Sequence, residues 1–342
     1  MNAVQIADDV LPMIAHTPKI ISNVSLVCTL YNERETIRTF LDSIYSLSVF
    51  PGEFIILDGG STDGTTEIIS RYRAEKHTSM EVKHIVDPHC NKDYCKSPVA
   101  KGRNIAIQQA KGEIIVCTDA GCIVDDQWLG NIVSPFLTDA TVDVVSGWYE
   151  PVGTGFIQKC LASFWIVPPG AVKAETVIPS SRSVAFRKSV WEKAGGYPEL
   201  FITAEDTAFS LNLRKINCRF VYQPAAIVYW PMPQSVRGFV VTVFRYAYGD
   251  GICSLLPMNF WRNLVKVFLS GFFCIMPLIY SWWWSSGMVI WLLLLVFGRR
   301  RGMPVSLRLL LKLPIVFLLK ITSDLTYVVG YSVGALHIPG IK

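Results

Sequence analysis

Residues 25–58 read SLVCTLYNERETIRTFLDSIYSLSVFPGEFIILD, in which two apolar runs flank a segment with helical periodicity. The runs SLVCTL and EFIILD have the length and composition of buried strands. Between them, apolar side chains recur at the spacing of one helix face: Ile37, Phe40, Leu41, Ile44 and Leu47. The stretch therefore predicts a strand, a helix and a second strand.

The same alternation continues along the chain. A second helical pattern around residues 68–72 precedes the strand candidate VKHIV (82–86), and a third near 99–110 precedes EIIVCTD (113–119). Strands that alternate with helices in this way form a mostly parallel sheet covered by helices on both faces. The predicted fold class is therefore α/β.

Polar residues stand where three of these strands end: Thr29, Tyr31 and Glu33 after the first, Asp58 after the second and Asp119 after the fourth. In an open parallel sheet, ligands bind beyond the carboxyl ends of the strands, so these side chains predict one shared pocket. The small residues Ala120 and Gly121 after Asp119 would let a ligand approach the backbone closely. Asp58 and Asp63 also suit a turn and a helix start, and this alternative stays open.

The composition indicates a soluble domain followed by a membrane-attached tail. The 342-residue chain is 51% hydrophobic and 17% charged, and residues 267–297 contain no Asp, Glu, Lys or Arg. About 20 apolar residues cross a bilayer, so this run is long for one crossing and short for two. A hairpin that turns at SWWWSSG (281–287) keeps the arginines at 299–301 in the cytoplasm, in line with the positive-inside tendency. A buried helix of a soluble core is the alternative.

Three regions are expected: an N-terminal extension (1–21), an α/β domain (22–251) and a membrane-associated helical region (252–342). The last region ends with a segment that carries Lys312, Lys320 and Asp324, which suits an interfacial or bundle-packed helix as well as a crossing. The N-terminus has two Asp residues before any apolar core and no cleavage signal, so we expect the α/β domain to face the cytoplasm.

Charge and cysteine content argue against two classes of protein. The net charge of +5 is modest and basic residues collect near the tail, which favours a membrane surface over nucleic acid as a partner. Nine cysteines, an odd number, indicate free thiols in a reducing compartment rather than a disulfide framework. The cluster of His84, His89, Cys90 and Cys95 matches no standard zinc spacing, so we interpret it as a polar loop.

Five segments occur in a recognisable order: SLVCTLYNERETIRTFLDSI (25–44), IILDGGSTDGTTEII (55–69), AKGRNIAIQQAKGEIIVCTDAGC (100–122), SVAFRKSVWEKAGGYPE (183–199) and TAEDTAFSLNLRK (203–215). Together they resemble the family 2 glycosyltransferases with a GT-A fold, over roughly residues 22–250. The resemblance implies a nucleotide-sugar donor in the predicted pocket.

By motif position, the resemblance implies that the base and ribose are surrounded by Thr29, Tyr31, Glu33 and Asp58, with Lys101 and Arg103 near the same nucleotide. Asp119, Ala120 and Arg182 complete the predicted donor pocket. Lys101 and Arg103 also suit an ordinary solvated helix start.

The family's metal motif is Asp-x-Asp at the end of the fourth strand, where this chain has Asp119, Ala120 and Gly121. The first acid is present and the second is absent. Asp119 is expected to hold a divalent cation, Mg²⁺ or Mn²⁺, with help from phosphate oxygens and water. Positive charge for the leaving diphosphate could instead come from four arginines, each of which also suits an exposed surface: Arg103, Arg182, Arg237 and Arg245.

The segment TAEDTAF (203–209) carries the predicted chemistry. In the family, a Glu-Asp pair starts a helix that faces the acceptor, and the Asp that matches Asp206 acts as general base, with Glu205 beside it. A carboxylate that takes the proton of an acceptor hydroxyl lowers the barrier, and attack opposite the leaving group inverts the anomeric carbon. Paired acids also suit a helix N-terminus, which is the alternative role.

Trp148 and Tyr149 are expected either to stack on a sugar or to pack in the core.

The segment QSVRGFVVTVFRYAYGDG (234–251) resembles the connection between the catalytic domain and the membrane. Processive polysaccharide synthases carry Gln-x-x-Arg-Trp there; Gln234 and Arg237 match, but Gly238 replaces Trp. This departure favours a single transfer per acceptor over repeated chain extension.

The expected function is that of an inverting, membrane-associated glycosyltransferase. It would move a sugar from a nucleotide-diphosphate donor to a hydroxyl of a lipid-linked or envelope saccharide, at the cytoplasmic membrane and without nucleic acid. Two alternatives stay open: transfer to polyprenyl phosphate, whose ionised oxygen needs no base, and a non-catalytic regulator that binds sugar nucleotides.

Overall fold

The structure, a computed structural model, describes residues 18–297 and 312–336, with the exception of residues 77, 166–168, 201 and 282. Residues 1–17 of the predicted N-terminal extension and the arginines at 299–301 lie outside the described part. The strands are β1 (Lys19–Leu30), β2 (Val49–Asp58), β3 (Glu81–Val86), β4 (Ile114–Asp119), β5 (Ile123–Val124), β6 (Val144–Val152), β7 (Val184–Arg187) and β8 (Phe220–Pro231). The α-helices are α1 (Ile37–Tyr45), α2 (Thr65–Glu75), α3 (Pro98–Gln109), α4 (Trp128–Thr138), α5 (Phe156–Trp165), α6 (Lys188–Lys193), α7 (Glu205–Lys215), α8 (Val236–Ile252), α9 (Pro257–Ile279), α10 (Trp284–Phe297) and α11 (Leu313–Ala335).

The strands form a single sheet in the order β3-β2-β1-β4-β7-β6-β8-β5. The side built from β3, β2, β1 and β4 is parallel throughout. Beyond β4 the sheet is mixed, because β7 runs antiparallel to both of its neighbours and β5 runs antiparallel to β8. The predicted α/β class is confirmed, and the mixed part lies beyond the four strands from which the parallel sheet was predicted.

The register of the parallel strands brings the predicted polar residues to one edge. Thr29 pairs with Asp119 of β4, and Leu30 pairs with Asp58 of β2. The tips of these strands therefore stand side by side, which is the arrangement that creates a ligand site in an open α/β sheet.

Alternate side chains of β1 enter two hydrophobic clusters, as the pleat of a strand requires. Leu26 packs in a cluster with Trp128 of α4, whereas Val27 packs in another with Ala106 of α3 and Leu213 of α7. All five of these side chains are at most 1% exposed. The sheet is thus covered by helices on both faces. The buried side chains between sheet and helices fix the position of the edge that carries the strand tips.

A third cluster joins the C-terminal helix to the α/β domain. Phe239 and Val243 of α8 pack with Leu161 of α5 and with Val316 and Leu319 of α11. The predicted boundary after residue 251 falls inside α8, and α11 returns to pack against the domain that precedes it. The division of the chain into three regions stays a prediction.

Helices α9 and α10 form a hairpin over the uncharged residues 267–297. The indole nitrogen of Trp291 donates a 3.0 Å hydrogen bond to Ser270 Oγ, and its ring stacks on Phe273. The chain turns at the tryptophan-rich segment, as predicted, but α9 begins earlier, at Pro257. Among the described helices, α9 and α11 are long and apolar enough to cross a membrane by length and composition.

Candidate active site

An open cleft of ≈ 940 Å³ lies at the carboxyl ends of β1, β2 and β4. Many of the residues predicted for the donor line it: Thr29, Tyr31, Glu33, Arg103, Asp119, Ala120 and Arg182, together with Arg245. Burial raises the pKa of the Glu33 carboxyl, the hydrogen bond from Thr36 opposes this rise, and the charge of Asp119 adds to it. The parallel strands thus bring together side chains that are far apart in the chain.

Arg103 links two acidic residues at the centre of the cleft. Its guanidinium donates hydrogen bonds to Asp119 Oδ1 at 2.7 Å and to Glu205 Oε1 at 2.8 Å. Only 5% of the side chain is exposed, and the guanidinium carbon lies 5.4 Å from the centre of the Tyr197 ring. Burial raises the pKa of Glu205, and the Arg103 guanidinium acts in the opposite direction. A buried arginine held at several points offers a fixed positive charge.

Arg182 is a second fixed cation in the cleft. Its guanidinium lies over the Trp230 ring at 4.4 Å and over the Tyr149 ring at 5.4 Å, and it donates a 2.8 Å hydrogen bond to the Tyr246 hydroxyl. Arg182 Nε stands 4.0 Å from Asp119 Oδ2. Asp119 therefore has an arginine near each of its carboxylate oxygens.

Asp206 lies in the first turn of α7, two positions after a strained residue. Ala204 has φ 67°, in the left-handed region that a residue with a Cβ rarely adopts. The Asp206 carboxylate accepts hydrogen bonds from the backbone N–H of Thr207 at 2.7 Å and of Ser181 at 3.5 Å. The carboxylate is only partly buried, so it can accept a further hydrogen bond from a ligand.

A second cleft of ≈ 490 Å³ adjoins the first. Both clefts are lined by a common set of residues, here called the junction: Val99, Arg103, Asp119, Arg182, Thr203, Glu205, Arg245 and Tyr246. Beyond the junction, the charged residues that line the second cleft within the described chain are Asp206 and Asp250. The two clefts meet at the junction, which carries three arginines and two carboxylates, and Asp206 and Asp250 line the second cleft beyond it.

Asp58 is buried, whereas its predicted contact with the nucleotide requires a carboxylate that faces the cleft. It is 0% exposed, and its carboxylate accepts hydrogen bonds from Ser61 N, Ser61 Oγ and Thr66 Oγ1, with His84 Nε2 at 3.7 Å. Burial acts to raise the pKa of Asp58, but these hydrogen bonds outweigh it and hold the pKa below its ordinary value. Asp58 thus holds the loop after β2, whereas its neighbour Leu57 lines the cleft. A direct contact between Asp58 and the nucleotide stays a prediction, and the burial of the carboxylate does not favour it.

Three further predicted residues are not among the described residues that line either cleft: Lys101, Trp148 and Arg237. Lys101 Nζ points to the carbonyl oxygen of His89 at 3.4 Å, and Arg237 is exposed on α8. Tyr149, next to Trp148, lines the second cleft and stands over Arg182.

Sequence reasoning missed several residues of the site: Trp230, Tyr246, Asp250 and Tyr327. One signal was available, because Val243, Tyr246 and Asp250 follow each other at the spacing of one helix face and all line the second cleft. Tyr327 has no comparable signal, since it reaches the cleft only through the packing of α11 against α8.

Asp119 offers a divalent cation one protein carboxylate, whose Oδ1 already accepts a 2.7 Å hydrogen bond from Arg103 and whose Oδ2 lies 4.0 Å from Arg182 Nε. The Asp119 side chain is 34% exposed and faces the cleft, and Mg²⁺ is usually bound by one or two carboxylates with phosphate oxygens and water. Among the described residues no group of three or more His, Cys, Asp or Glu side chains is placed to hold a metal by itself. A Cβ added at Gly121, where the second acid of the motif is missing, would meet nothing within 4 Å.

Comparisons with known proteins agree with this architecture. The family profile described as Glycosyl transferase family 2 matches residues 25–171, and the profile described as Glycosyl transferase family group 2 matches residues 114–299, more than half of the chain. The poly-β-1,6-N-acetyl-D-glucosamine synthase of Staphylococcus epidermidis is 26% identical over 253 residues, which cover 71% of this chain and 58% of the synthase. The chain therefore spans little more than half the length of this curated relative.

Two solved structures extend the comparison. A mannosyltransferase from Pyrobaculum calidifontis, in complex with GDP-Man and Mn²⁺, has a TM-score of 0.58 and 22% identity, with coverage of 92% of this chain and 87% of that chain. Residues 1–349 of S. aureus TarS, in complex with UDP-GlcNAc, have a TM-score of 0.47 and 18% identity, with coverage of 92% of each chain. The mannosyltransferase shares the fold, and the profile match over more than half of the sequence shows that the chain belongs to the family 2 glycosyltransferases.

Proposed function

We propose that this chain transfers a sugar from a nucleotide-diphosphate sugar to a neutral hydroxyl of a lipid-linked or envelope saccharide, with inversion at the anomeric carbon. This function is supported by the two clefts, which meet at the junction. The first offers the strand tips on which donors bind in α/β sheets, the junction offers fixed arginines, and the second offers the Asp206 carboxylate.

The donor is proposed to lie in the first cleft, with its diphosphate at the junction. The bond between the sugar and the diphosphate breaks as negative charge develops on the leaving oxygens, and preorganised cations stabilise that charge. Arg182 is held by two aromatic rings and a hydrogen bond, so little reorganisation is needed when the charge appears. Arg103 holds Asp119 and Glu205 in place on the other side.

A divalent cation would be held by Asp119, and it would supply further positive charge to the diphosphate. The described residues offer it one carboxylate, so phosphate oxygens and water would provide the other ligands. The mannosyltransferase from Pyrobaculum calidifontis was solved with GDP-Man and Mn²⁺.

Asp206 is proposed to act as the general base. An acceptor hydroxyl is a poor nucleophile, and a carboxylate that takes its proton while the new bond forms lowers the barrier. Asp206 lies beyond the junction, on the side of the second cleft. A hydroxyl bound there would attack from the side opposite the diphosphate, so one displacement inverts the configuration of the anomeric carbon.

The charges of the second cleft favour a hydroxyl over a phosphate as the acceptor group. Asp206 and Asp250 are the charged residues that line it beyond the junction, among the residues described. A polyprenyl phosphate entering this end would place its own negative charge beside two carboxylates, which is unfavourable in a partly desolvated site. A neutral saccharide meets no such repulsion.

Membrane association is proposed to keep the enzyme and an amphiphilic acceptor in one plane, with the catalytic domain in the cytoplasm. The apolar helices α9 and α11 support the association. The Staphylococcus epidermidis relative is a synthase of poly-β-1,6-N-acetyl-D-glucosamine, which makes an N-acetylglucosamine donor the first to test.

A thermal-shift screen of nucleotide sugars tests the proposal, since a ligand that binds only the folded state stabilises it by about 2.7 kcal/mol at 100 times its Kd. UDP-GlcNAc and GDP-Man are the first probes, with UMP and GMP as controls for binding of the nucleotide alone. The expected result is a larger shift with one nucleotide sugar, followed by release of the nucleotide diphosphate when an acceptor is added. If no nucleotide sugar shifts the transition, the proposed function is wrong; a shift without turnover would favour the non-catalytic regulator.

A further inference from the structure

We propose that Asp250 and Tyr327 bind a sugar ring of the acceptor through its hydroxyl groups, an inference that rests on the proposed function. Asp250 lies near the end of α8, and Tyr327 lies in α11, one of the candidate membrane helices. Both residues line the second cleft, as Asp206 does. The acceptor site is thus completed by a helix of the membrane-associated region.

The two side chains already form a polar pair. The Tyr327 hydroxyl donates a 2.8 Å hydrogen bond to Asp250 Oδ2. Asp250 is 8% exposed, and no other hydrogen bond reaches its carboxylate from the described residues. A carboxylate can accept several hydrogen bonds, so that of Asp250 keeps capacity beyond the bond from Tyr327. Since Asp250 lines the cleft, the hydroxyls of a ligand can fill this capacity.

Close packing of glycines fixes the pair in position. A Cβ at Gly334 would lie 2.3 Å from the carbonyl oxygen of Tyr248, and a Cβ at Gly251 would lie 2.2 Å from that of Tyr331. Only glycine lets two helix backbones approach so closely. Helices α8 and α11 therefore form one unit, in which the separation of Asp250 and Tyr327 is set by the backbones.

The chemistry of the cleft wall suits a saccharide. A carboxylate accepts hydrogen bonds from sugar hydroxyls. The Tyr327 hydroxyl already donates to Asp250 and is hydrogen-bonded to Asn259, so toward a sugar its oxygen acts as an acceptor. Tyr149 and Trp165 line the same cleft and add aromatic surface, on which the apolar face of a sugar ring can lie. The class of ligand that fits is a neutral sugar ring rather than an anion.

Ionisation of Asp250 gives the site a measurable signature. Burial is the main cause that raises the pKa of its carboxyl to about 6; the charge of Asp206 adds to the rise, and the hydrogen bond from Tyr327 opposes it. The titratable and charged groups around it are Glu205 and Asp206 of α7, Arg245, Tyr246 and Cys253 in and after α8, and Tyr327 and Tyr331 of α11. Because the ionised form is the stronger hydrogen-bond acceptor, acceptor binding should weaken as the pH falls through about 6.

The test uses the full chain in detergent micelles, with the nucleotide sugar that gives the largest thermal shift as donor. Octyl β-glucoside and octyl β-N-acetylglucosaminide serve as acceptor probes. The variants are Asp250→Asn and Tyr327→Phe, with Tyr331→Phe as control, because Tyr331 lies one turn further along α11 and stacks on Phe260.

The expected result is a rise of about tenfold or more in the acceptor KM for both variants, equal to about 1.4 kcal/mol, with the donor KM changed less than about twofold. The acceptor KM of the unsubstituted chain should rise below pH 6, and that of Asp250→Asn should not. Tyr331→Phe should keep both constants. A donor thermal shift equal to that of the unsubstituted chain checks that each variant is folded.

Unchanged acceptor constants in both variants would overturn the inference, as would an equal rise of the donor and acceptor constants. Transfer to polyprenyl phosphate that Asp250→Asn leaves intact would also overturn it. If the chain binds the donor but transfers sugar to neither octyl glycoside, the result contradicts the neutral-sugar site and leaves the proposed donor binding intact. A chain that binds no nucleotide sugar contradicts the proposed function instead, and the inference fails with it.

Discussion

The Arg103 guanidinium donates a 2.8 Å hydrogen bond to Glu205, which lies 102 positions further along the chain. Arg103 belongs to α3, at the strand tips, and Glu205 is the first residue of α7, next to Asp206. The same guanidinium bonds Asp119. One side chain therefore links the start of α7, which carries the proposed general base Asp206, to the strand tips of the first cleft.

Arg103→Lys should impair both stability and transfer. A lysine ammonium lacks the planar fork that reaches two carboxylates at once, so one of the two partly exposed acids loses its partner. We expect the free energy of unfolding to fall by about 1–3 kcal/mol and transfer to fall by about 10²-fold, since small displacements of reacting groups cost that much. Arg262→Lys, on the exposed side of α9, is the control. A variant with unchanged transfer would show that the bridge is not needed.

Asp206→Asn should remove the proposed general base and leave donor binding in the first cleft nearly unchanged. The amide is of nearly the same size and cannot take a proton, so transfer should fall by about 10²-fold or more. Donor affinity, measured by thermal shift, should stay within about twofold, because Asp206 lies beyond the junction. Asp126→Asn, in an exposed turn far along the chain from α7, is the matched control. Transfer near the original rate in Asp206→Asn would reassign Asp206 to helix capping.

Arg182→Lys should slow departure of the diphosphate. The ammonium cannot reproduce the stack on Trp230 together with the hydrogen bond to Tyr246, so the charge would no longer be fixed at the junction. Losing one electrostatic contact to a developing charge costs about 10²–10³-fold in kcat, and lysine keeps the positive charge, so we expect kcat to fall by about tenfold or more. Arg187→Lys offers a close control, because Arg187 lies over the Phe136 ring at 5.5 Å outside both clefts. Equal losses in the two variants would indicate general damage rather than a role in the reaction.

The metal can be tested from two directions. If Asp119 holds a cation together with the diphosphate, EDTA should stop transfer, and Mn²⁺ should bind more tightly when donor is present. Gly121→Asp should strengthen Mn²⁺ binding, measured by calorimetry without turnover, since nothing lies within 4 Å of the new Cβ. Gly170→Asp is a suitable control, because its Cβ position is equally open and remote from Asp119 in the chain. Full transfer after exhaustive chelation would assign charge neutralisation to the arginines.

The sequence predicts the sheet well and the site in part, for physical reasons that can be named. Hydrophobic periodicity identifies β1 and its neighbours because their side chains are buried on both faces. Positions two apart on a helix point in different directions, so of Lys101 and Arg103 only Arg103 lines the clefts. Neighbours on a strand alternate likewise, and Tyr149 lines the second cleft while Trp148 is not among the described lining residues. The motif alone does not reveal these orientations.

Asp58 and Tyr327 illustrate what depends on long-range packing. Asp58 stands at a strand tip, as predicted, but the following loop folds back and surrounds its carboxylate with hydrogen bonds. Tyr327 joins the cleft through the contact of α11 with α8, which no local pattern encodes. Such contacts depend on surfaces that only the folded chain brings together.

A pair of glycine substitutions in the candidate membrane helices α9 and α11 tests whether α11 is part of the catalytic unit. Gly334→Ala places a Cβ 2.3 Å from the carbonyl oxygen of Tyr248, so α11 must move away from α8. Gly271→Ala, in α9, adds a Cβ that meets nothing within 4 Å. By intrinsic propensity both changes should favour the helix by about 1 kcal/mol.

We therefore expect Gly271→Ala to be neutral or stabilising. Gly334→Ala should lower the thermal midpoint and raise the acceptor KM, because Tyr327 shifts relative to Asp250. Equal midpoints and equal acceptor constants for the two variants would show that α11 serves only as an anchor.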